Sequence, residues 1–383
     1  MYGKENNLAF LIGENMKKII FLIISFIFIM NVNSLELNSK YSYIYNIKEN
    51  KIMYENDSKK QIPVASLTKI MTAIIAIENN NDLEKEVTMI NSDFRDMYEY
   101  AVAGFKVGDK VTVKDLLYGV LLPSGSDAVN AVVRVTTNTE EDFVKLMNEK
   151  VKELGLVNTH FSNPIGKDEG NYSSMYDIAQ ILEYALSNEI FKEIFMSSTY
   201  KVNNLTLKGP LSRTTDIISG AKTGFTYDAM YCLASFSEKD NFNYIVITAY
   251  ADSYKEVIED HINIYNYYYN NYSYHDYNVN FDVKIKNGKE EFYNVNIDRN
   301  YYLENNINKK LLTYKYEGIE EITKKIKKGD VLGKVSIYYN NELLDNIDIV
   351  LDKEIEYKNY YWVLIPTIFI ILIVILLRKN KKR

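Results

Sequence analysis

Three short groups of residues in this 383-residue chain carry side chains that could act together on an acyl substrate: Ser66-Leu67-Thr68-Lys69, Ser124-Gly125-Ser126 and Lys222-Thr223-Gly224. A Ser-x-x-Lys spacing at a helix start puts a hydroxyl and an amine on one face of the first turn, within reach of each other. A serine there also feels the partial positive charge of the helix N-terminus, which favours an oxyanion. For Lys69 to take the serine proton it must be neutral, well below a free-lysine pKa of about 10.4. Burial and a second cation both push that way, and Lys222 is the second cation expected. Ser124 supplies a second hydroxyl to pass a proton, while Lys222 and Thr223 offer a cationic strand edge for a substrate carboxylate. Gly224 stands where a backbone must approach closely. Taken singly each group is ordinary: a capping serine with a surface lysine, a loop before a helix, the first residues of a strand. In this order they describe an activated serine nucleophile.

The elements that must position these groups follow from the pattern around them. Residues 41–54 alternate as an opening hairpin with Lys48-Glu49-Asn50-Lys51 as its turn. After Ser66, the residues Ile70, Met71, Ile74, Ile75 and Ile77 fall at helical spacing and leave little polar surface, so this helix is expected to be central; Asn79-Asn80-Asn81 ends it. Further helices are expected over 113–122, 127–136, 140–154 and 176–186, with Ser124 and Ser126 on a loop between two of them. Strands are expected over 221–226, 231–237 and 244–251, followed by a helix over 255–269. The sum is an α+β domain, an antiparallel sheet with a helical block. Beyond a Tyr- and Asn-rich stretch ending near Tyr277, alternation resumes around the turn pairs Asn287-Gly288 and Asn340-Asn341, which describes a small all-β domain without catalytic residues.

The two ends read as membrane traffic. Lys17-Lys18, the apolar run Ile19 to Met30 and the small-residue site Val32-Asn33-Ser34 describe a signal peptide, with the mature chain beginning near Leu35 and Met16 a possible alternative start. Tyr361 to Leu377 is apolar over about the length of a bilayer core, carries Trp362 at its edge, and is followed by Arg378, Lys379, Lys381, Lys382 and Arg383. The expected organisation is a leader over 1–34, a catalytic domain over 35–274, a small β domain over 275–356, and a C-terminal transmembrane helix with a basic cytoplasmic tail over 357–383. The domains between would then face the extracytoplasmic side of the cell membrane.

Several function classes drop out. A net charge of −6 and the lack of an extended basic face leave nothing that calls for nucleic acid. The 34 tyrosines are scattered among Asn, Lys and Ile and are read as compositional bias. Cys232 is the only cysteine, so no intrachain disulfide forms, and its apolar surroundings describe a small buried residue. The histidines are His160, His261 and His275, none in a nucleophile-elbow context, and no metal-ligand spacing occurs, so neither a Ser-His-Asp triad nor a metal site is expected and no cofactor is implied.

Ile62-Pro63-Val64-Ala65-Ser66-Leu67-Thr68-Lys69-Ile70-Met71-Thr72, Leu121-Leu122-Pro123-Ser124-Gly125-Ser126-Asp127-Ala128, Asn158-Thr159-His160-Phe161 and Gly220-Ala221-Lys222-Thr223-Gly224-Phe225-Thr226 together resemble the low-molecular-mass penicillin-binding proteins, the serine D-alanyl-D-alanine carboxypeptidases. The resemblance covers nearly the whole mature chain. It implies a penicillin-binding/β-lactamase-like transpeptidase domain that removes the terminal D-alanine of peptidoglycan stem pentapeptides and binds β-lactam antibiotics such as penicillin covalently. By position, Ser66 is implied as acylated nucleophile, Lys69 as general base and Ser124 as proton relay. Lys222 and Thr223 are implied at the substrate carboxylate, and the N–H groups of Ser66 and Phe225 at the oxyanion.

Two positions depart from that pattern. Ser126 stands where asparagine is usual, with shorter reach and one donor. Lys255 is the nearest counterpart of an arginine that helps bind the carboxylate, and it lacks the bidentate fork. A serine β-lactamase shares the three motifs but needs a positioned glutamate for deacylation, for which Glu169 is roughly placed yet reads as solvated. A third reading is an anchored peptidoglycan-binding module weakened catalytically through Ser126.

Overall fold

The structure is a computed structural model that describes residues 35–95, 100–167, 170–210, 216–239, 242–359 and 361–380. The expected leader and Glu169 lie outside the described residues. By its internal contacts the chain divides after Tyr268 into two compact units.

The first unit is built on an antiparallel sheet. β1 (Tyr41–Asn46) and β2 (Lys51–Asn56) form the expected opening hairpin. Short pairs then tie loops together: β3 (Ile62–Pro63) with β6 (Tyr172–Ser173), β4 (Glu86–Thr88) with β5 (Lys110–Thr112), and β7 (Thr199–Val202) with β8 (Leu205–Lys208). β9 (Gly220–Thr226), β10 (Met230–Lys239) and β11 (Phe242–Ala251) complete the sheet in the order β2-β1-β11-β10-β9. β9, which carries Lys222-Thr223-Gly224, is therefore an edge strand.

The helices are α1 (Thr68–Glu78), α2 (Val113–Leu121), α3 (Ser126–Thr137), α4 (Glu140–Glu153), α5 (Met175–Leu186), α6 (Glu189–Phe195) and α7 (Tyr254–Asn271). Every residue of α1 from Thr68 through Ile77 is buried, as expected of a helix apolar on most sides. It ends where the side-chain amides of Asn79 and Asn80 donate to the carbonyls of Ile75 and Ala76, which turns the chain out of the core. α2, α4 and α5 each begin with a hydroxyl residue, Thr112, Thr139 and Ser174, accepting a backbone N–H from the third residue on. α6 and the β7–β8 hairpin were not among the expected elements, being too short to show a period.

Alternation along β11 divides the sheet's two faces. Ile245, Ile247 and Ala249 enter the helical core with Ala234 and Phe236 of β10, while Thr248 and Ser235 turn toward α7. There His261 is fully buried, its Nδ1 2.6 Å from Ser235 and its Nε2 2.9 Å from Thr248, and burial holds its pKa down to about 3.

The second unit is all-β up to its last helix. β12 (Tyr272–Ile285) and β13 (Phe292–Glu304) pair along their length and β15 (Glu321–Ile322) joins β12 in parallel. A second sheet runs β14-β16-β17 from β14 (Leu312–Gly318), β16 (Val331–Tyr339) and β17 (Glu342–Val350). Val279, Val283, Val295, Ile297, Val335 and Ile337 are among the residues of their shared core. β12 begins at Tyr272, so much of the Tyr- and Asn-rich stretch is strand rather than connection. Its tyrosines serve as half-buried strand residues, a role that β propensity favours. Asn340 and Asn341 both take positive φ (49° and 69°) in a two-residue turn, as expected, whereas the connection around Asn287 runs over residues 286–291 and is longer than a tight turn.

α8 (Tyr361–Asn380) closes the chain with Pro366 inside it, and its side chains from Leu364 to Leu377 are exposed. Among the described residues no helix is long and apolar enough to cross a membrane, so the C-terminal transmembrane helix expected from the sequence does not emerge as a spanning element of this fold.

Candidate active site

Ser66 lies in the 3-10 turn Ala65–Leu67, which runs directly into α1. One turn on, Lys69 is 1 % exposed, and its Nζ is 3.0 Å from Ser66 Oγ. The same Nζ donates to the Ile165 carbonyl oxygen at 2.9 Å. Burial first, and the Lys222 ammonium second, hold the Lys69 pKa well below the ordinary lysine value.

The second motif sits at the junction of α2 and α3. Ser124 takes a left-handed φ of 63°, a conformation a side-chain-bearing residue adopts only when its surroundings impose it. Those surroundings are visible. Gly125 N–H donates to Gly119 O at 2.8 Å and Ser126 N–H to Ala101 O at 2.8 Å. The Asp127 carboxylate accepts the N–H groups of Ala103, Gly104 and Phe105 at 2.7, 3.0 and 3.2 Å. Ser126 is the first residue of α3 rather than a loop residue, is 2 % exposed, and its Oγ has no hydrogen-bond partner among the described residues.

β9 brings the third motif to the same place. Lys222 is 1 % exposed, and its Nζ donates to Ser124 Oγ at 2.9 Å and to Thr223 O at 2.8 Å. Burial lowers its pKa to about 7. Gly224 faces the nucleophile's turn: a Cβ there would lie 2.8 Å from Cys232 Sγ and 3.1 Å from both Ala65 Cβ and the Ser66 nitrogen. The strand edge and the serine turn are thus packed against each other, and only glycine permits it. Thr223 is half-buried and Phe225 exposed beside it, its ring tilted on Tyr231 with centroids 4.4 Å apart.

The serine, the lysine beside it, the second serine and the strand lysine therefore border one cleft, which is the convergence that the spacing of the motifs demands. Residues 163–167 and Asn171 also belong here, although their sequence does not single them out. Asn163 Oδ1 accepts the N–H groups of Ile165, Gly166 and Lys167, and Asn171 Nδ2 reaches Thr68 Oγ1 at 3.1 Å. The available signal was Asn163-Pro164-Ile165-Gly166, an Asn-Pro turn opening with a glycine that here takes a φ of 81°.

Other candidates stand apart. Lys255 is largely exposed on α7 and pairs with Glu259 at 3.3 Å. His160 bridges Tyr172 through its backbone, His261 is buried on α7 against the sheet, and His275 lies near the Glu304 carbonyl. Cys232 is buried, its thiol pushed up to about 12 by burial, which fits a packing residue behind Gly224. Among the described residues no group of acidic, histidine and cysteine side chains could hold a metal ion.

Comparison with known proteins agrees with this geometry. The D-alanyl-D-alanine carboxypeptidase family (Peptidase_S11) matches residues 29–253, and the penicillin-binding protein 5 C-terminal domain matches residues 272–357. The chain is 31% identical to D-alanyl-D-alanine carboxypeptidase DacF of Bacillus subtilis over 80% of its own length and 83% of that protein's. It is 32% identical to the D-alanyl-D-alanine carboxypeptidase of Streptomyces sp. strain K15, over 47% of this chain and 70% of that one. Among solved structures, penicillin binding protein 5 from Haemophilus influenzae shares the fold with a TM-score of 0.66 at 20% identity, covering 84% of this chain and 98% of its own. The Streptomyces K15 DD-transpeptidase aligns with a TM-score of 0.57 at 28% identity, over 61% of this chain and 97% of that one. With a buried lysine beside a half-buried serine, facing a lysine-bearing strand edge, and with these matches, the chain belongs to the low-molecular-mass penicillin-binding proteins as a serine-type D-alanyl-D-alanine carboxypeptidase of the S11 family.

Proposed function

We propose that this chain removes the terminal D-alanine of peptidoglycan stem pentapeptides through an acyl-Ser66 intermediate, and that the same serine is acylated by β-lactams. The observation that carries the reading is the 3.0 Å approach of a buried Lys69 amine to Ser66 Oγ, in a cleft where Lys222 meets Ser124 at 2.9 Å. Ser66 Oγ attacks the carbonyl carbon of the penultimate D-alanine while its proton passes to Lys69 Nζ. The N–H groups of Ser66 and Phe225 receive the oxyanion, in a role worth roughly 3 to 4 kcal/mol per donor. The peptide C–N bond then breaks, and the leaving nitrogen takes a proton through Ser124. Water hydrolyses the ester, returning the proton to Ser66. Lys222 and Thr223 hold the terminal carboxylate, Gly224 lets the substrate backbone lie along β9, and Ser126 faces the peptide carbonyl.

The reading extends to place. The apolar run of α8, its exposed side chains and the basic residues after it support a membrane anchor. With the signal-like N-terminal segment they support a reading in which the catalytic unit works on the extracytoplasmic face of the cell membrane. Intact mass measured after exposure to labelled penicillin tests the chemistry: a long-lived adduct on Ser66, with D-alanine release from pentapeptide lost in Ser66→Ala, is expected. Rapid penicillin turnover would instead indicate a β-lactamase, and an adduct-free chain that binds peptidoglycan would indicate a non-catalytic module.

A further inference from the structure

We infer that Asn163, Asn171 and Thr68 are positioning residues for the Lys69 amine, acting through the carbonyl of Ile165. The inference rests on Lys69 receiving the Ser66 proton and goes on to say what aims it. A neutral lysine amine has two N–H bonds and one lone pair, and it turns freely about its last C–N bond unless something stops it. A carbonyl oxygen can only accept, so the 2.9 Å contact with Ile165 O fixes one N–H. With that hydrogen held, the lone pair can be presented to Ser66 Oγ, 3.0 Å away. The Ile165 carbonyl thus selects the orientation in which the base can work.

The carbonyl is itself held. Asn163 Oδ1 gathers the N–H groups of Ile165, Gly166 and Lys167 at 3.1, 2.8 and 3.3 Å, which curls the loop so that the Ile165 oxygen faces α1. Asn171 Oδ1 accepts the N–H groups of Ser162 and Asn163 at 2.9 and 3.1 Å. Its Nδ2 donates to Asn163 O at 2.8 Å and to Thr68 Oγ1 at 3.1 Å. Thr68 directly precedes Lys69, so one amide joins the base's own helix to the loop that faces it. One turn further on, Thr72 Oγ1 donates to Pro164 O at 2.6 Å. Asn163, Asn171, Thr68 and Thr72 are all 0 to 1 % exposed. Burying this many polar groups is costly unless each is satisfied, and closing a loop does not by itself require them behind the base.

The charged group bearing on Lys69 among the described residues is Lys222 of β9. Its other polar surroundings are uncharged: the Ser66 hydroxyl on its own turn and the Ile165 carbonyl, with the amides of Asn163 and Asn171 behind that carbonyl. Burial is the larger cause of the lowered Lys69 basicity. Releasing the clamp lets the loop swing and water enter, and Lys69 then becomes more basic. Because the base must be neutral to act, the rising limb of acylation against pH moves to higher pH.

The test is the second-order rate of acylation by a labelled penicillin across pH, in the full chain and in Thr68→Val, Thr68→Ser and Asn171→Ala. Thr68→Val keeps the shape of the side chain but removes the hydroxyl that accepts from Asn171, leaving Asn163 O as its remaining acceptor. Its rate is expected to fall about tenfold at neutral pH, with the rising limb displaced upward by about one pH unit and the rate recovering in alkali. Thr68→Ser restores the hydroxyl and is expected to follow the unsubstituted chain. Asn171→Ala moves the same way and further; if it does not fold, the Thr68 pair still decides. A uniform fall at every pH, or identical behaviour of Thr68→Val and Thr68→Ser, overturns the clamp while leaving the acyl-serine reading in place. An unsubstituted chain that takes no penicillin at any pH overturns the acyl-serine reading, and the clamp with it.

Discussion

Ser126 offers a buried hydroxyl with no hydrogen-bond partner among the described residues, beside a site where Ser66 and Ser124 each accept from a lysine. An unmade bond of this kind costs about 1 to 3 kcal/mol unless a ligand completes it. Replacing it by the longer asparagine amide is expected to hold the peptide carbonyl more firmly. Ser126→Asn should acylate with penicillin up to about tenfold faster, and a slower variant would refute the idea. Lys222 leads to a pH prediction. With its pKa lowered to about 7, the free protein loses the charge that receives a carboxylate as pH rises through neutrality. Lys69, held well below the ordinary lysine value by burial and by Lys222, is the group whose neutral form sets the acid limb. The kcat/KM for a pentapeptide should therefore decline above about pH 7, and Lys222→Arg, which stays charged, should remove that decline. At this scale the three motifs were legible because their spacing encodes contact within one turn or one strand. Asn163 and Asn171 were not, because amides that fold an irregular loop leave no period to read.

β9 shows how one element sets the site. Its glycine lets the strand edge lie against the serine turn, with the Ser66 nitrogen 3.1 Å from where a Cβ would stand. Gly224→Ala is expected to push strand and turn apart, costing roughly 1 to 3 kcal/mol of stability and lowering acylation by about two orders of magnitude. Adding Cys232→Ala relieves the sulfur contact and should restore part of the melting temperature but little of the acylation. The sheet's other face gives an acid prediction through His261. Its folded pKa of about 3 lies below the unfolded value of about 6.5, so the unfolded chain binds more protons between those limits. Stability from this group is complete above about pH 6.5 and is lost as pH falls toward 3, which urea unfolding at pH 7 and pH 4.5 would register as a smaller drop in His261→Phe. Strands and helices with a sustained period were legible to within a residue or two. The start of β12 was hidden because its Tyr and Asn residues match the bias of the surrounding sequence.

The molecule separates a chemical unit from a second, all-β unit that ends in α8. Deleting residues 276–355 while keeping α8 is expected to leave penicillin acylation within about twofold, because the cleft groups all lie in the first unit, and to reduce activity on intact wall far more. Equal loss on both substrates would show that the second unit supports the fold of the first. The sheet order carries a further consequence, for the moment when activity first exists. β1 hydrogen-bonds on one side to its near neighbour β2 and on the other to β11, Tyr41 opposite Ala249. A polypeptide emerging from its N-terminus presents the nucleophile early, yet its opening β1–β2 hairpin cannot join β10 and β9 until the eleventh strand has been made. Incomplete chains that end before β11 lack the strand that links the hairpin to the Lys222-bearing edge, and they are expected to take no labelled penicillin, because completing the sheet closes a loop across the whole first unit.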